Sequence, residues 1–324
     1  MKILITGGAG FIGSHLSELL LANGDELTIV DNLNTGTYPN IKELTKDPNY
    51  RIIVGSVTEP GILDPLIAEC DHVYHLAAGV GVRLIIEQPV ETIETNILGT
   101  EAVLKLAAKY HKKVLIASTS EVYGKNSNVP FREEDDSVFG ATTKSRWSYA
   151  CSKAIDEFLA LAYHKEKGLP VVIVRFFNTV GPRQTGRYGM VIPNLVRQAV
   201  KNQPLTVYGD GQQSRCFTHV KDSIRCQHAL MNNPDAVGQI FNLGSNQEVS
   251  IEQLATRILE LSGSHSEIQY IPYEEAYEAG FEDMRRRVPN TDKVRKLLGF
   301  APDSKLDDIL NDVIGYFREH PEIH

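Results

Sequence analysis

The hydrophobic positions in the first half of the chain form short continuous runs separated by longer amphipathic stretches. The short runs are rich in β-branched residues, which is typical of parallel strands buried on both faces. They predict strands at Lys2–Thr6, Leu27–Val30, Arg51–Val54, His72–Leu76, Lys113–Ala117 and Pro170–Arg175. The stretches between them predict helices at about Gly13–Asn23, Pro89–Tyr110 and Ser148–Lys167. This alternation predicts an α/β fold with a doubly wound parallel sheet of the Rossmann type.

After about Val180 the pattern loosens, because Gly and Pro become frequent and the elements become shorter. The remaining apolar segments predict helices at Met190–Lys201, Ile251–Ser262 and Leu306–Phe317, and strands at Leu205–Tyr208 and Ile240–Leu243. We therefore expect a Rossmann domain at residues 1–180, to which residues 216–245 return. Residues 181–324 are expected to form a smaller mixed α/β region that binds the substrate.

Composition narrows the possible partners and compartments. The chain has 324 residues and a formal net charge of -8, which argues against a broad nucleic-acid-binding surface. Its four cysteines show no CxxC spacing and its ten histidines do not cluster, so we expect no metal site. The N-terminus runs directly into a strand, and no apolar run has the length of a membrane span. We expect no membrane partner and a reducing, cytoplasmic location.

A glycine-rich turn follows the first predicted strand. Gly7, Gly10 and Gly13 have the spacing GxxGxxG and open a helix whose N–H groups can bind a pyrophosphate. Asp31 ends the second strand, where a carboxylate accepts hydrogen bonds from the adenosine ribose hydroxyls. This acid repels a 2′-phosphate, and residues 32–34 contain no Arg to bind one. The combination predicts NAD rather than NADP.

Two groups of residues predict the chemistry. Tyr149 and Lys153 form a YxxxK motif on one face of a helix, so that the ammonium and an oxidised nicotinamide favour the phenolate. Tyr149 is then a general base for a sugar hydroxyl while hydride passes to the cofactor. Thr119 and Glu121 follow the strand that ends near Ala117, where Thr119 can hydrogen-bond the reacting hydroxyl. Hydride transfer needs no carboxylate, so Glu121 suggests further acid/base work.

These residues together resemble an extended short-chain dehydrogenase/reductase over nearly the whole chain. The resemblance rests on GGAGFIG from Gly7, Asp31, HLAA from His75, STSEVYG from Ser118 and YACSK from Tyr149. It implies an N-terminal NAD-binding Rossmann domain, a C-terminal nucleotide-sugar region and an NAD that is regenerated in each turnover. It also implies a catalytic triad of Thr119, Tyr149 and Lys153. The cofactor contacts it implies are Gly7, Gly10, Phe11, Ile12, Gly13, Asp31, Asn32, Leu76, Ala77, Ala78, Asn96, Tyr149 and Lys153.

Three segments are similar to UDP-glucuronate decarboxylases in particular. They are RWSYACSK from Arg146, RCFT from Arg215, and GFED at 280–283 followed by Arg287. In such enzymes Glu121 corresponds to a catalytic acid, Arg215 to an active-site arginine and Arg287 to a diphosphate contact. The substrate contacts implied by the resemblance are Arg83, Ser120, Asn178, Arg183, Arg215 and Arg287.

Other features favour other members of the family. The loop at 79–83 and the segment GPRQ from Gly181 resemble those of UDP-sugar 4-epimerases, and the Thr-Ser-Glu sequence also occurs in 4,6-dehydratases. Ser56 stands where relatives commonly have an Asp that contacts adenine. Our first hypothesis is a UDP-glucuronate decarboxylase that oxidises the sugar at C4. The second is a UDP-glucose or UDP-glucuronate 4-epimerase, followed by a 4,6-dehydratase and a non-catalytic NAD sensor. The family resemblance also implies a homodimer.

Overall fold

The computed structural model describes residues 1–80, 87–186, 189–272, 275 and 284–322. In the first half, strands and helices alternate as predicted. The strands are β1 (Lys2–Thr6), β2 (Glu26–Asp31), β3 (Tyr50–Val54), β4 (His72–His75), β5 (Lys113–Thr119) and β6 (Val171–Phe176). The helices are α1 (Phe11–Ala22), α2 (Leu63–Glu69), α3 (Pro89–Tyr110) and α4 (Arg146–Lys167). The short helix α2 was not predicted from the sequence.

The described part of the second half contains shorter strands and five helices. The strands are β7 (Thr179–Val180), β8 (Leu205–Tyr208), β9 (Ser214–Cys216), β10 (Thr218–His219), β11 (Gln239–Leu243), β12 (Glu248–Ser250) and β13 (Ile268–Ile271). The helices are α5 (Val191–Val200), α6 (Val220–Asn232), α7 (Ile251–Ser262), α8 (Asp292–Leu298) and α9 (Leu306–Glu319).

Seven parallel strands form the central sheet, in the order β11-β6-β5-β4-β1-β2-β3. Apolar side chains from α1 and α6 cover one face, and those from α2, α3 and α4 cover the other. This arrangement confirms the predicted doubly wound fold. Strand β11 joins the sheet beside β6, with Ile240 opposite Ile173.

A separate apolar cluster lies in the second half of the chain. Helices α5, α7 and α9 pack together there with β8, through residues that include Leu195, Leu254 and Leu310. Strand β13 pairs in parallel with β8, and β12 pairs antiparallel with β9. This cluster forms the wall that faces the carboxyl edge of the main sheet.

The predicted site residues lie at the carboxyl ends of the central strands. The order of the sheet reverses between β1 and β4, and ligands of open α/β sheets bind at such a reversal. Gly7 directly follows β1, Asp31 ends β2, Leu76 follows β4 and Thr119 ends β5. Four segments that are distant in sequence therefore meet at one edge.

Candidate active site

A cleft of about 670 Å³ lies along this edge, between the central sheet and the apolar cluster of the second half. Its volume is within the range of small-molecule sites. It collects most of the residues selected from the sequence. Those that line it are Gly7, Gly10, Phe11, Ile12, Gly13, Asp31, Asn32, Leu76, Ala77, Ala78, Thr119, Ser120, Glu121, Tyr149, Lys153, Asn178, Arg215 and Arg287.

The glycine turn has the shape that a pyrophosphate requires. Gly7 has a φ of +73°, and a Cβ there would lie 2.7 Å from the backbone nitrogen of Ala77. A Cβ on Gly13 would lie 2.3 Å from the Gly7 carbonyl oxygen, so this position needs glycine for packing. At Gly10 a Cβ would meet only the Gly7 carbonyl oxygen, at 3.2 Å, so the turn is open towards the cleft. Within the described structure no side chain caps α1, and its first turn has no acidic residue, so its N-terminus can bind an anion.

Asp31 has a structural role as well as the expected binding role. Its carboxylate accepts hydrogen bonds from the backbone N–H groups of Ala9, at 2.9 Å, and Leu33, at 2.8 Å. Burial raises the pKa of Asp31, and these backbone donors oppose that rise. The carboxylate therefore ties the glycine turn to β2 and still lines the cleft, where it has lone pairs left for ribose hydroxyls. These features fit the adenosine half of NAD.

Asp31→Asn should change the choice between the two dinucleotides. The amide removes the charge that repels a 2′-phosphate and weakens the bonds to the ribose hydroxyls. We expect the ratio of the Kd of NADP+ to that of NAD+ to fall by about tenfold or more, because hydrogen bonds to charged groups contribute about 1.5–3 kcal/mol. Calorimetric titration with both dinucleotides measures it, with Glu26→Gln, an exposed acid on β2, as control. An unchanged ratio would show that Asp31 only holds the turn.

Asn96 occupies a different place from the one implied by the resemblance. It is fully buried on α3 and is not among the residues that line the cleft. Its side-chain oxygen accepts from the Gly79 N–H at 2.8 Å, and its amide donates to the Ser152 hydroxyl at 3.1 Å. Ser152 in turn donates to the Tyr149 carbonyl oxygen. Asn96 therefore links the loop after β4 to the helix that carries Tyr149, and the expected direct cofactor contact is corrected to this indirect one.

Tyr149 and Lys153 lie on one face of α4 and both line the cleft, as the YxxxK spacing predicts. The Lys153 ammonium donates to Asp156 at 2.7 Å, and both side chains are almost completely buried. Burial raises the pKa of Tyr149, and the carboxylates of Glu121 and Asp156 raise it further. A hydrogen bond with Thr119 and the charge of Arg287 act in the opposite direction. The net effect of the chain's own groups is a raised pKa for Tyr149, and the lowering expected from Lys153 together with an oxidised nicotinamide stays a prediction.

Glu121 is held between arginines. Its two carboxylate oxygens pair with Arg287, at 2.7 Å, and with Arg146, at 3.4 Å. Burial raises the pKa of Glu121, but Arg287, Arg146 and Arg215 outweigh burial and leave that pKa below its usual range. These arginines therefore favour the ionised form of Glu121, and its acid/base role stays a prediction. Arg287 lies at the end of the cleft that contains Tyr149, and its diphosphate contact stays a prediction.

A buried ion pair fixes α4 against the sheet. The Arg175 guanidinium on β6 donates to both oxygens of Glu157, at 2.9 and 2.7 Å, in a bidentate contact. Ser118, one residue before Thr119, donates to the same carboxylate. Arg175 also donates to the Tyr123 hydroxyl at 2.9 Å. The loop after β5 and the helix that carries Tyr149 are therefore positioned by one network.

Three further substrate predictions have different outcomes. Arg183 is not among the residues that line the cleft, and its backbone has a φ of 68°. Its side chain pairs with Glu18 on α1 and donates to the Asn40 carbonyl oxygen at 3.4 Å. Its expected sugar contact is corrected accordingly. Arg83 and the motif at 280–283 lie outside the described residues. Asn178 lines the cleft and donates to the Cys216 carbonyl oxygen at 3.0 Å.

Two site residues were not selected from the sequence. Arg146 was only part of a quoted motif, although it is one helical turn before Tyr149. Asp156 was not considered, although it is one turn after Lys153. Spacings of three residues on a predicted helix were the available signal for both.

Four further sequence predictions concern Ser56, metal ligands, membrane helices and the cysteines. Ser56, at the position where the family resemblance implies an Asp that contacts adenine, lines the cleft and hydrogen-bonds the Thr58 hydroxyl at 2.8 Å. Among the residues with assigned positions, no group of three or more His, Cys, Asp and Glu could hold a metal ion. No helix in the described ranges is both long and apolar enough to cross a membrane. The four cysteines are free thiols, and three of them are buried.

The sequence and the fold match known proteins over nearly the whole of this chain. The family model described as GDP-mannose 4,6 dehydratase matches residues 4–313. The chain is 45% identical to a UDP-N-acetyl-alpha-D-glucosaminuronate decarboxylase of Bacillus cytotoxicus, covering 98% of both chains. It is 39% identical to UDP-glucuronic acid decarboxylase 1 of Xenopus tropicalis, covering 99% of this chain and 73% of that protein.

A solved structure shows the same fold with ligands. The UDP-glucuronic acid 4-epimerase of Bacillus cereus, in complex with UDP-glucuronic acid and NAD, superimposes with a TM-score of 0.88 at 30% identity. The superposition covers 98% of this chain and 99% of that one. This chain therefore belongs to the GDP-mannose 4,6 dehydratase family, within the extended short-chain dehydrogenases/reductases, and it is an NAD-dependent nucleotide-sugar enzyme.

Proposed function

We propose that this enzyme decarboxylates a UDP-uronate, with UDP-glucuronate as the principal candidate. The observation that carries the proposal is the reacting end of the cleft, where Glu121 is surrounded by Arg146, Arg215 and Arg287 beside Tyr149. A sugar that carries a carboxylate complements these arginines, whereas a neutral hexose does not. Decarboxylation is also the activity named for relatives at 45% and 39% identity.

The first step is oxidation of the sugar at C4. When bound, NAD+ supplies the hydride acceptor. Tyr149 takes the proton of the C4 hydroxyl, with Thr119 hydrogen-bonded to the phenol and placed to hold the same hydroxyl. Burial, Glu121 and Asp156 raise the pKa of Tyr149, and the positive charge that NAD+ would bring to the cleft would lower it for this step.

The second step is loss of the carboxylate. A ketone at C4 makes the C6 carboxylate part of a β-keto acid, so that CO2 leaves as its electron pair delocalises into the ketone. Tyr149, protonated in the first step, can donate to the oxygen on which negative charge develops. Arg215 and Arg287 add positive charge to this water-poor end of the cleft, where such charge is most effective. A proton then returns to C5. Return to C4 of the hydride removed in the first step, with a proton from Tyr149 to the C4 oxygen, reduces the ketone and gives a UDP-pentose.

The substituent at C2 is the point on which the decarboxylase relatives differ. The Xenopus relative is named for UDP-glucuronic acid, and the Bacillus cytotoxicus relative is named for its N-acetylated analogue. Both substrates share the carboxylate, the C4 hydroxyl and the proposed chemistry. We therefore include both in the test.

C4 epimerisation is the second candidate. It is supported by the Bacillus cereus epimerase, which has UDP-glucuronic acid bound in the same fold. An epimerase uses the same oxidation, returns hydride to the other face and keeps all its carbons. The decarboxylase relatives have the higher identity to this chain, so decarboxylation is the first proposal.

Mass spectrometry of the products tests the proposal. The purified enzyme is incubated with NAD+ and, separately, with UDP-glucuronate, its N-acetylated analogue and UDP-glucose. Loss of one CO2 from a uronate, with UDP-glucose unchanged, supports a decarboxylase and identifies the C2 substituent. Unchanged mass with a new sugar NMR spectrum contradicts decarboxylation and supports the epimerase.

We also propose a homodimer that buries the outer faces of α3 and α4. The two helices pack side by side, and four apolar side chains on them are exposed to solvent: Val90, Leu98, Ile155 and Phe158. Phe158 is 74% exposed, which is unusual for a side chain of this size. A second copy of the same helices would cover this surface.

Phe158→Glu should convert the dimer to a monomer. It places a charge in the centre of the proposed interface, where burying an unpaired charge is costly. Light scattering during size-exclusion chromatography measures the mass, and Val54→Glu, at another exposed valine, is the control. A wild-type mass of one chain, or a dimer unaffected by Phe158→Glu, would contradict the proposal.

Domain boundaries and location remain proposals of the same kind. We propose an NAD-binding domain at residues 1–180, joined by residues 216–245, and a nucleotide-sugar region at 181–324. The pairing of β11 with β6 supports this division. Four free cysteines support a reducing compartment, and we propose the cytoplasm.

A further inference from the structure

Arg146 occupies a defined place relative to the reacting phenol. Arg146, Tyr149 and Lys153 are spaced three and four residues apart on α4 and all line the cleft, so they lie along one face of the helix. Lys153 is one turn beyond Tyr149 and Arg146 is one turn before it, at about 5.4 Å per turn. Arg146 is therefore attached to the helix on the side of Tyr149 opposite Lys153.

The surroundings of Arg146 keep its guanidinium in the cleft. Its side chain is only 9% exposed, and the guanidinium carbon lies 5.7 Å from the centre of the Trp147 ring. One of its nitrogens lies 3.4 Å from a carboxylate oxygen of Glu121. This position therefore already accepts a carboxylate as a neighbour, on a rigid element and not on a loop.

The geometry of a uronate matches this arrangement. When Tyr149 takes the C4 proton, the C6 carboxylate is attached through the neighbouring ring carbon and lies within about one helical turn of the phenol. Arg287 and Arg215 approach from other segments, a loop before α8 and strand β9. Of these three arginines, only Arg146 shares a helix face with the phenol, so the helix fixes the spacing between the two backbone positions.

We propose that Arg146 is the residue that selects a uronate, by binding the C6 carboxylate while Tyr149 engages the C4 hydroxyl. The inference rests on the proposed function, since it requires a substrate with that carboxylate. It applies equally to UDP-glucuronate and its N-acetylated analogue. A bidentate guanidinium–carboxylate contact also fixes the orientation of the sugar ring in the cleft. One face of C4 then points to the cofactor.

The test compares binding of a charged and a neutral sugar nucleotide. Calorimetric titrations with UDP-glucuronate and UDP-glucose are made on the wild type, Arg146→Gln and Arg146→Lys in the presence of NADH, which cannot accept the hydride, so that binding is measured without turnover. We expect Arg146→Gln to weaken UDP-glucuronate binding by roughly 10- to 100-fold and to leave UDP-glucose binding nearly unchanged. Arg146→Lys should restore part of the preference, because it keeps the charge and loses the bidentate geometry.

A matched control and two outcomes make the test decisive. Arg286→Gln changes a neighbouring arginine of the sequence whose partner is the exposed Glu248, and should leave both affinities unchanged. Equal weakening of both ligands in Arg146→Gln would mean that Arg146 acts only through Glu121 and would overturn the proposal, as would no weakening at all. Failure of the proposed function is separate: it would appear as intact carbon in the products of the wild type, whatever the binding data show.

Discussion

Tyr149→Phe should reduce turnover by roughly 10²- to 10⁴-fold, the usual contribution of a positioned general acid or base. The change removes one oxygen from a side chain that is 9% exposed and leaves the ring in place. NAD+ affinity and thermal stability should change little, because the glycine turn and Asp31 hold the adenosine half of the cofactor. The measurement is the steady-state kcat for consumption of the sugar nucleotide.

Tyr163→Phe provides the control for this prediction, because it removes the same hydroxyl from a tyrosine farther along α4 and outside the cleft. Its kcat should equal that of the wild type. Wild-type turnover in Tyr149→Phe would contradict the mechanism and revive the hypothesis of an NAD sensor that has no catalytic phenol.

Glu121→Gln should lower kcat by about 10²-fold and shift its pH profile. The variant loses the carboxylate that holds Arg287 and Arg146, and a small misplacement of groups at a reacting centre can cost about 10²-fold. The negative charge of Glu121 also raises the pKa of Tyr149, so removing it lowers that pKa. The limb of the profile that reports ionisation of Tyr149 should therefore move to lower pH.

Glu134→Gln, an exposed acid close by in sequence, should leave the profile in place. If this limb of the pH profile does not move, or moves to higher pH, Glu121 does not act on Tyr149.

Protein stability offers a second check on Glu121. Because the pKa of Glu121 is lowered by folding, its stabilisation is present above its ordinary range and is lost as pH falls through the lowered value. The difference in the free energy of unfolding between the wild type and Glu121→Gln should therefore shrink as pH falls.

Much of the fold was predictable because its signals are local. The strands at Lys2–Thr6 and Leu205–Tyr208 have the predicted bounds, since buried parallel strands are continuous apolar runs. Helix α1 begins at Phe11, two residues earlier than predicted, because a glycine turn gives no apolar periodicity at the start of a helix. Strands β7 and β10 have two residues each, too few for any period to show.

The site was predictable where motif spacing alone determines geometry. The glycine turn, Asp31, Tyr149 and Lys153 line one cleft because each directly follows a strand or shares a helix face. The direction in which a side chain points was harder to predict from the sequence. Arg183 lies in the GPRQ segment but pairs with Glu18, and only the three-dimensional course of that segment shows this.

Electrostatics was the least predictable part. The motif suggested that Lys153 would favour the Tyr149 phenolate, but the Lys153 charge is paired with Asp156 inside the fold. Likewise, Glu121 was expected to do acid/base work, and the charge of Arg287, which is distant in sequence, lowers its pKa. Such shifts depend on burial and on partners from several segments, and neither is visible in a linear motif.

The central claim is that this enzyme removes the carboxylate of a UDP-uronate. It is tested most directly with UDP-glucuronate labelled with heavy carbon in that carboxylate, incubated with the enzyme and NAD+. The account predicts that labelled CO2 appears in step with consumption of the sugar nucleotide, and that Tyr149→Phe stops its release. Consumption of substrate with all the label retained in a new sugar nucleotide would contradict the account and identify an epimerase.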